Sequence, residues 1–110
     1  MQQKIYRKLV RDRIPAIIRK DGGIPKTRTL SNAEFRKALF KKLLEEANEA
    51  HDTWCLEGVM DELADIQEVI AAIIVDLKID TKLLDEVRRQ RARVRGVFEK
   101  KVFLESVKIK

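Results

Sequence analysis

Two acidic pairs fall on helical stripes that should be dry, and this conflict constrains the chain more than any other feature. In KKLLEEANEAHDTWCLEGVMDELADIQEVIAAIIVD, residues 41–76, Glu46 and Glu49 stand three apart, as do Glu62 and Asp65. Residues at i and i+3 share a helix face. Phe35, Ala38, Leu39, Leu43, Ala47 and Ala50 recur at helical period before and around the first pair, and predict one amphipathic helix. Val59, Leu63, Ile66, Val69, Ile70, Ile73, Ile74 and Leu77 predict a second, flanked by Met60. Projected at about 100° per residue, Glu46 falls between Phe35 and Leu39, and Glu62 between Val69 and Ile73. Glu49 and Asp65 fall at the stripe margins. Asp76 lies on the same side as Asp65, further along.

The boundaries of these helices follow from local chemistry. Ser31 and Glu34 have the spacing of a capping box, with Leu30 and Phe35 placed as a hydrophobic staple. This predicts a helix from about Asn32 to His51. The connection through Asp52, Thr53, Trp54, Cys55, Leu56, Glu57 and Gly58 permits an antiparallel return, and the second helix is expected from about Val59 to Leu77. Upstream, residues 4–11 have weak extended character. Asp12 is placed to cap a short helix, RIPAIIRK, with Pro15 in its first turn and Gly22-Gly23 ending it. Pro25 and the threonines make residues 24–30 a connector. Downstream, Asp80 or Thr81 is placed to cap a third long helix over about residues 81–95, with Leu84 and Val87 as its apolar contacts and Gly96 as its terminator. The tail, with Phe98, Val102, Phe103, Leu104 and Val107, is apolar enough to be expected to dock. The fold class expected is all-α, a helical bundle built around the antiparallel acidic pair. The 110 residues suffice for one core and form one expected domain, residues 1–110.

Charge is distributed in blocks. Residues 1–30 carry a balance of +7, residues 31–85 of −7 and residues 86–110 of +6. A basic chain invites a nucleic-acid reading, here through the N-terminus and RRQRARVR, but the thirteen acids of the middle block oppose a phosphate backbone. Nucleic acid is therefore not the expected partner. Acids in the middle and cations at both ends equally suit a site where carboxylates hold a metal and cations hold phosphates. One cysteine, Cys55, and one histidine, His51, exclude a disulfide within the chain and leave no zinc-type cluster. MQQKIYRKLVRDR is charged from its start, unlike a signal peptide. The longest uncharged apolar run, Val69–Val75, is too short for a bilayer. The expectation is a cytoplasmic protein without a membrane partner.

Carboxylates gathered in a partly dry crevice need compensation, because an unpaired buried charge costs several kcal/mol or more. Basic partners, protonation or a bound cation can supply it. Asp and Glu donors without His or Cys favour a hard ion, Mg²⁺ or Mn²⁺. The bland alternative, a solvated acidic face, suits Glu45, Asp61 and Glu68. It suits Glu46 and Glu62 less well, since both interrupt apolar stripes.

Glu46-x-x-Glu49 followed by Glu62-x-x-Asp65, within EEANE and DELADIQEVI, resembles the ExxE…ExxD signature of the MazG-like, all-α nucleotide pyrophosphohydrolases. KLVRDRIP at residues 8–15 and RVRGVFEKKVFLE at residues 93–105 are similar to the ends of the phosphoribosyl-ATP pyrophosphohydrolase-like branch. Val97 stands where that branch more often has a second glycine. The resemblance implies that Glu46, Glu49, Glu62 and Asp65 ligate Mg²⁺, with Mn²⁺ as a substitute. It implies hydrolysis of a nucleoside triphosphate, or a phosphoribosyl-ATP-like nucleotide, between the α and β phosphates, in a house-cleaning role. Lys8, Arg11, Arg13, Arg95, Lys100 and Lys101 are candidates for the phosphates, Arg11 foremost. Trp54 is a candidate to stack the base, with packing as its alternative role. Apolar residues around much of the second helix imply completion by a homodimer or homotetramer. A basic nucleic-acid-binding module and a non-catalytic interaction module are the competing functions.

Overall fold

The computed structural model describes residues 2–109; the expected domain of residues 1–110 extends one residue past this at each end. Among the described residues there are four helices and no strand, as the all-α expectation requires: α1 (Ile14–Lys20), α2 (Asn32–His51), α3 (Leu56–Asp76) and α4 (Thr81–Arg95). The chain divides into two compact units, Met1–Lys78 and Ile79–Lys110.

In the first unit, α2 begins where its capping chemistry dictates. The Ser31 hydroxyl accepts from the Glu34 amide at 3.2 Å, while the Glu34 carboxylate accepts from the Ser31 amide at 3.1 Å. Arg28 clamps the same carboxylate at 3.0 Å. Its hydrogen bond, followed by those from Ser31, holds Glu34 down to about 2.

The start of α3 lies upstream of the expected Val59. Cys55 is its N-cap, the thiol sulfur accepting from the Gly58 amide at 3.4 Å. The Thr53 hydroxyl donates to the Glu49 carbonyl at 2.6 Å and ties the turn to the end of α2. Gly58 completes this connection, since a Cβ there would lie 2.5 Å from Thr53 Cγ2 and 3.2 Å from Cys55 Sγ. The turn that joins the acidic pairs is thus closed by its own side chains.

The two long helices run antiparallel. Arg36, early in α2, meets Asp76, the last residue of α3, with Nε to Oδ2 at 3.0 Å, while Glu46 and Glu49 approach Glu62 at the turn end. Leu39, Val69 and Ile73 form the buried core between the helices, with Phe35, Leu43, Ala72 and, from the N-terminal segment, Leu9 packed around them. The apolar stripes are wider than this contact. Ala47, Leu63, Ile70 and Leu77, expected on the dry face, are exposed.

Three other expectations need correction. Arg13, not Asp12, occupies the N-cap of α1, and it makes no side-chain cap bond; Gly22, with φ of 94°, does end that helix. In the second unit, α4 is capped by Asp80, whose carboxylate accepts from the Lys82 amide at 2.9 Å. Gly96 ends it at φ of 86°, but Leu84 and Val87 are exposed and α4 buries no residue. The tail is irregular and its apolar side chains, Phe98, Val102, Phe103, Leu104 and Val107, are exposed rather than docked. Apolar composition alone does not supply a complementary surface.

Candidate metal centre

The antiparallel return carries Glu46 and Glu49 on the last turns of α2 against Glu62 near the start of α3. One carboxylate oxygen from each lies within 4.8 Å of the others. Glu46 is buried at 6% exposure, Glu62 is half-buried and Glu49 is exposed. The cluster therefore opens toward solvent on the Glu49 side and closes against the helix pair at Glu46.

Glu46 is only partly compensated. Lys42, one turn earlier on α2, places its ammonium 3.3 Å from Glu46 Oε1 and 3.8 Å from Glu45 Oε2. The other oxygen of Glu46 and Oε2 of Glu62 are buried without any hydrogen-bond partner. A contact between two carboxylates is repulsive until a proton or a cation enters it, so both orphaned oxygens call for one or the other. The chemistry of the donor set, oxygen-only and anionic, fits a hard divalent ion. Lys42 was missed from the sequence although its i,i+4 spacing to Glu46 is legible there.

Asp65 stands apart from this group. It shares the expected face of α3, but its Oδ1 accepts from Arg11 Nη2 at 2.6 Å. The structure thus brings together three of the four acids expected as ligands and pairs the fourth with the cation expected to bind phosphate. Lys8 lies 5.5 Å from the Tyr6 ring centroid, which Lys4 also approaches at 5.2 Å. Arg13 is exposed at the start of α1. Trp54 is 99% exposed at the turn and takes no part in packing within the chain. Arg95, Lys100 and Lys101 are exposed within the second unit. Asp76, aligned with the acids in projection, is held by Arg36 at the opposite end of the helix pair.

Burial and like charge act on Glu62 together. Its contact with Glu46 first, then desolvation, then the charge of Glu49, push it from an ordinary 4.5 to about 7. A carboxyl whose folded value is raised stabilises the fold below its unfolded value, and this contribution is lost as pH rises through the folded value. The midpoint of thermal unfolding in a chelator is therefore expected to fall between about pH 5 and pH 8. Glu62→Gln should flatten that slope. Glu34, held at about 2, titrates well below this window. Melts that are level or rise over the interval in the unsubstituted protein would contradict the assignment.

Compared with models of protein families, with curated proteins and with solved structures, the chain matches none.

Proposed function

We propose that the protein is a divalent-metal-dependent nucleotide pyrophosphohydrolase, splitting a nucleoside triphosphate or a phosphoribosyl-ATP-like nucleotide between its α and β phosphates. The supporting observation is the convergence of Glu46, Glu49 and Glu62, with a buried, unpartnered oxygen on both Glu46 and Glu62. Charge placed on an apolar face at this cost to stability is typical of a site rather than of a scaffold. The ordered ExxE…ExxD spacing, with the similarity at both ends, is what supports this reaction class.

Glu46, Glu49 and Glu62 would hold Mg²⁺ or Mn²⁺, with Asp65 as the fourth ligand of the family pattern. When bound, such an ion polarises phosphate oxygens and lowers the pKa of a coordinated water. The chain's own residues then do the rest. A glutamate oxygen of the cluster left free accepts the proton of the attacking water. Glu49, on the open side, keeps the centre accessible to substrate. Arg11 brings a guanidinium to the rim, where it can meet a phosphate in the bidentate manner lysine cannot. Lys8 and Arg13 add positive charge to the same segment, and Arg95, Lys100 and Lys101 are the cations the resemblance adds from the far end. Trp54, fully exposed beside the turn, offers a face for base stacking.

Self-association belongs to the same proposal. Leu63 at 51%, Ile70 at 40% and Val75 at 77% exposure leave apolar surface along α3, and a homodimer or homotetramer would cover it. Among the described residues no helix is long and apolar enough to cross a membrane.

A panel of ribo- and deoxyribonucleotides with Mg²⁺ or Mn²⁺ is the test, scored for monophosphate and pyrophosphate. At least one nucleotide should yield both in equal amounts. The competing nucleic-acid function is favoured by one observation, the exposed arginines of α4. Tight DNA or RNA binding at rising salt without metal, together with an inert nucleotide panel, would select it instead.

A further inference from the structure

We infer that Arg11 is an internal counter-ion that holds Asp65 out of the acidic centre, and that a divalent cation and Arg11 compete for this carboxylate. The inference rests on the proposed metal-dependent function and specifies how its fourth ligand is controlled. Asp65 follows Glu62 by three residues on α3 and so lies on the same helix face. Yet Glu46, Glu49 and Glu62 present oxygens to one another within 4.8 Å and Asp65 is not in that set. Its Oδ1 is instead 2.6 Å from Arg11 Nη2, 54 residues away in the chain. The neighbouring centre has its own demand for positive charge, because the unpartnered oxygen of Glu46 belongs to a side chain only 8% exposed.

The geometry makes the exchange feasible. The Arg11 side chain is 55% exposed and that of Asp65 40% exposed, so the pair can open into water without stranding a buried charge. Leu9 packs on the Leu39–Val69–Ile73 core, so the segment stays attached when the ion pair opens. A guanidinium carries one charge and touches one of these acids. A dication carries two and would already meet the three converging glutamates, with Asp65 one helical turn beyond Glu62. Once freed, Arg11 remains at the rim, where an incoming phosphate can take the place of Asp65. The resting ion pair thereby links loading of the centre to the availability of the phosphate-binding cation.

A double-mutant cycle on Mn²⁺ affinity, measured by calorimetry at physiological salt, tests this without any turnover. Arg11→Ala should tighten Mn²⁺ binding roughly tenfold, a coupling of ordinary size between sites. In an Asp65→Asn background the same substitution should leave affinity unchanged, because the contested carboxylate is gone. Equal tightening in both backgrounds would show a general charge effect and overturn the competition while leaving the metal centre standing. Weaker binding in Arg11→Ala would also overturn it. Absence of Mn²⁺ binding by the unsubstituted protein would overturn both this inference and the function on which it rests.

Discussion

Glu46→Gln and Glu62→Gln are each expected to lower kcat by at least about 100-fold, the equivalent of roughly 2.7 kcal/mol of transition-state stabilisation, while circular dichroism shows unchanged helix content. Glutamine preserves the shape of the side chain but removes an anionic ligand, so the loss should fall on the metal-dependent step. The two variants differ in stability. Glu46 has Lys42 at 3.3 Å, so its neutralisation gives up one ion pair while relieving repulsion from Glu62 and Glu49. Glu62 has no such partner among the described residues, and the charged form is disfavoured there by Glu46, by desolvation and by Glu49. Metal-free Glu62→Gln should therefore melt above the unsubstituted protein at pH 8, active and stable no longer coinciding. Full turnover in either variant would remove that residue from the ligand set.

Leu39→Ala should produce the largest loss of stability. Leu39 is 3% exposed and forms, with Val69 and Ile73, the whole buried apolar core of the described residues. Truncating a buried leucine costs about 2–5 kcal/mol, against a net stability of about 5–15 kcal/mol for an ordinary domain. At roughly 4–8 °C per kcal/mol for a chain of this size, the melting midpoint should fall by about 10 °C or more. A thermal melt followed at 222 nm measures this. A shift under a few degrees would mean that the contact between α2 and α3 is not what holds the unit together.

The legibility of this fold follows the locality of the interactions. The capping box at Ser31–Glu34 is complete within four residues, so α2 could be placed to its first residue. The start of α3 was misplaced because its cap is a cysteine, whose sulfur is a weak acceptor and carries little of the signal of Ser, Thr, Asp or Asn. Helical projection put Glu46 on the dry face, and it is buried; the same projection could not show that Leu63 and Ile70 lie beyond the width of the partner helix. Spacing within each helix set Glu46, Glu49, Glu62 and Asp65 on facing sides as one group, of which only the three glutamates converge. It could not anticipate the Arg11–Asp65 pair, which depends on the path of the N-terminal segment across α3. The tail illustrates the limit of composition: the five apolar residues expected to dock, Phe98, Val102, Phe103, Leu104 and Val107, are all exposed.

Phosphorus-31 NMR of a hydrolysed nucleoside triphosphate, in Mg²⁺ and again in a chelator, tests the central claim most directly. The predicted result is growth of monophosphate and pyrophosphate resonances in Mg²⁺, no turnover in the chelator, and none in Glu46→Gln under either condition. Inorganic phosphate with nucleoside diphosphate, or turnover that persists in the chelator, would contradict it.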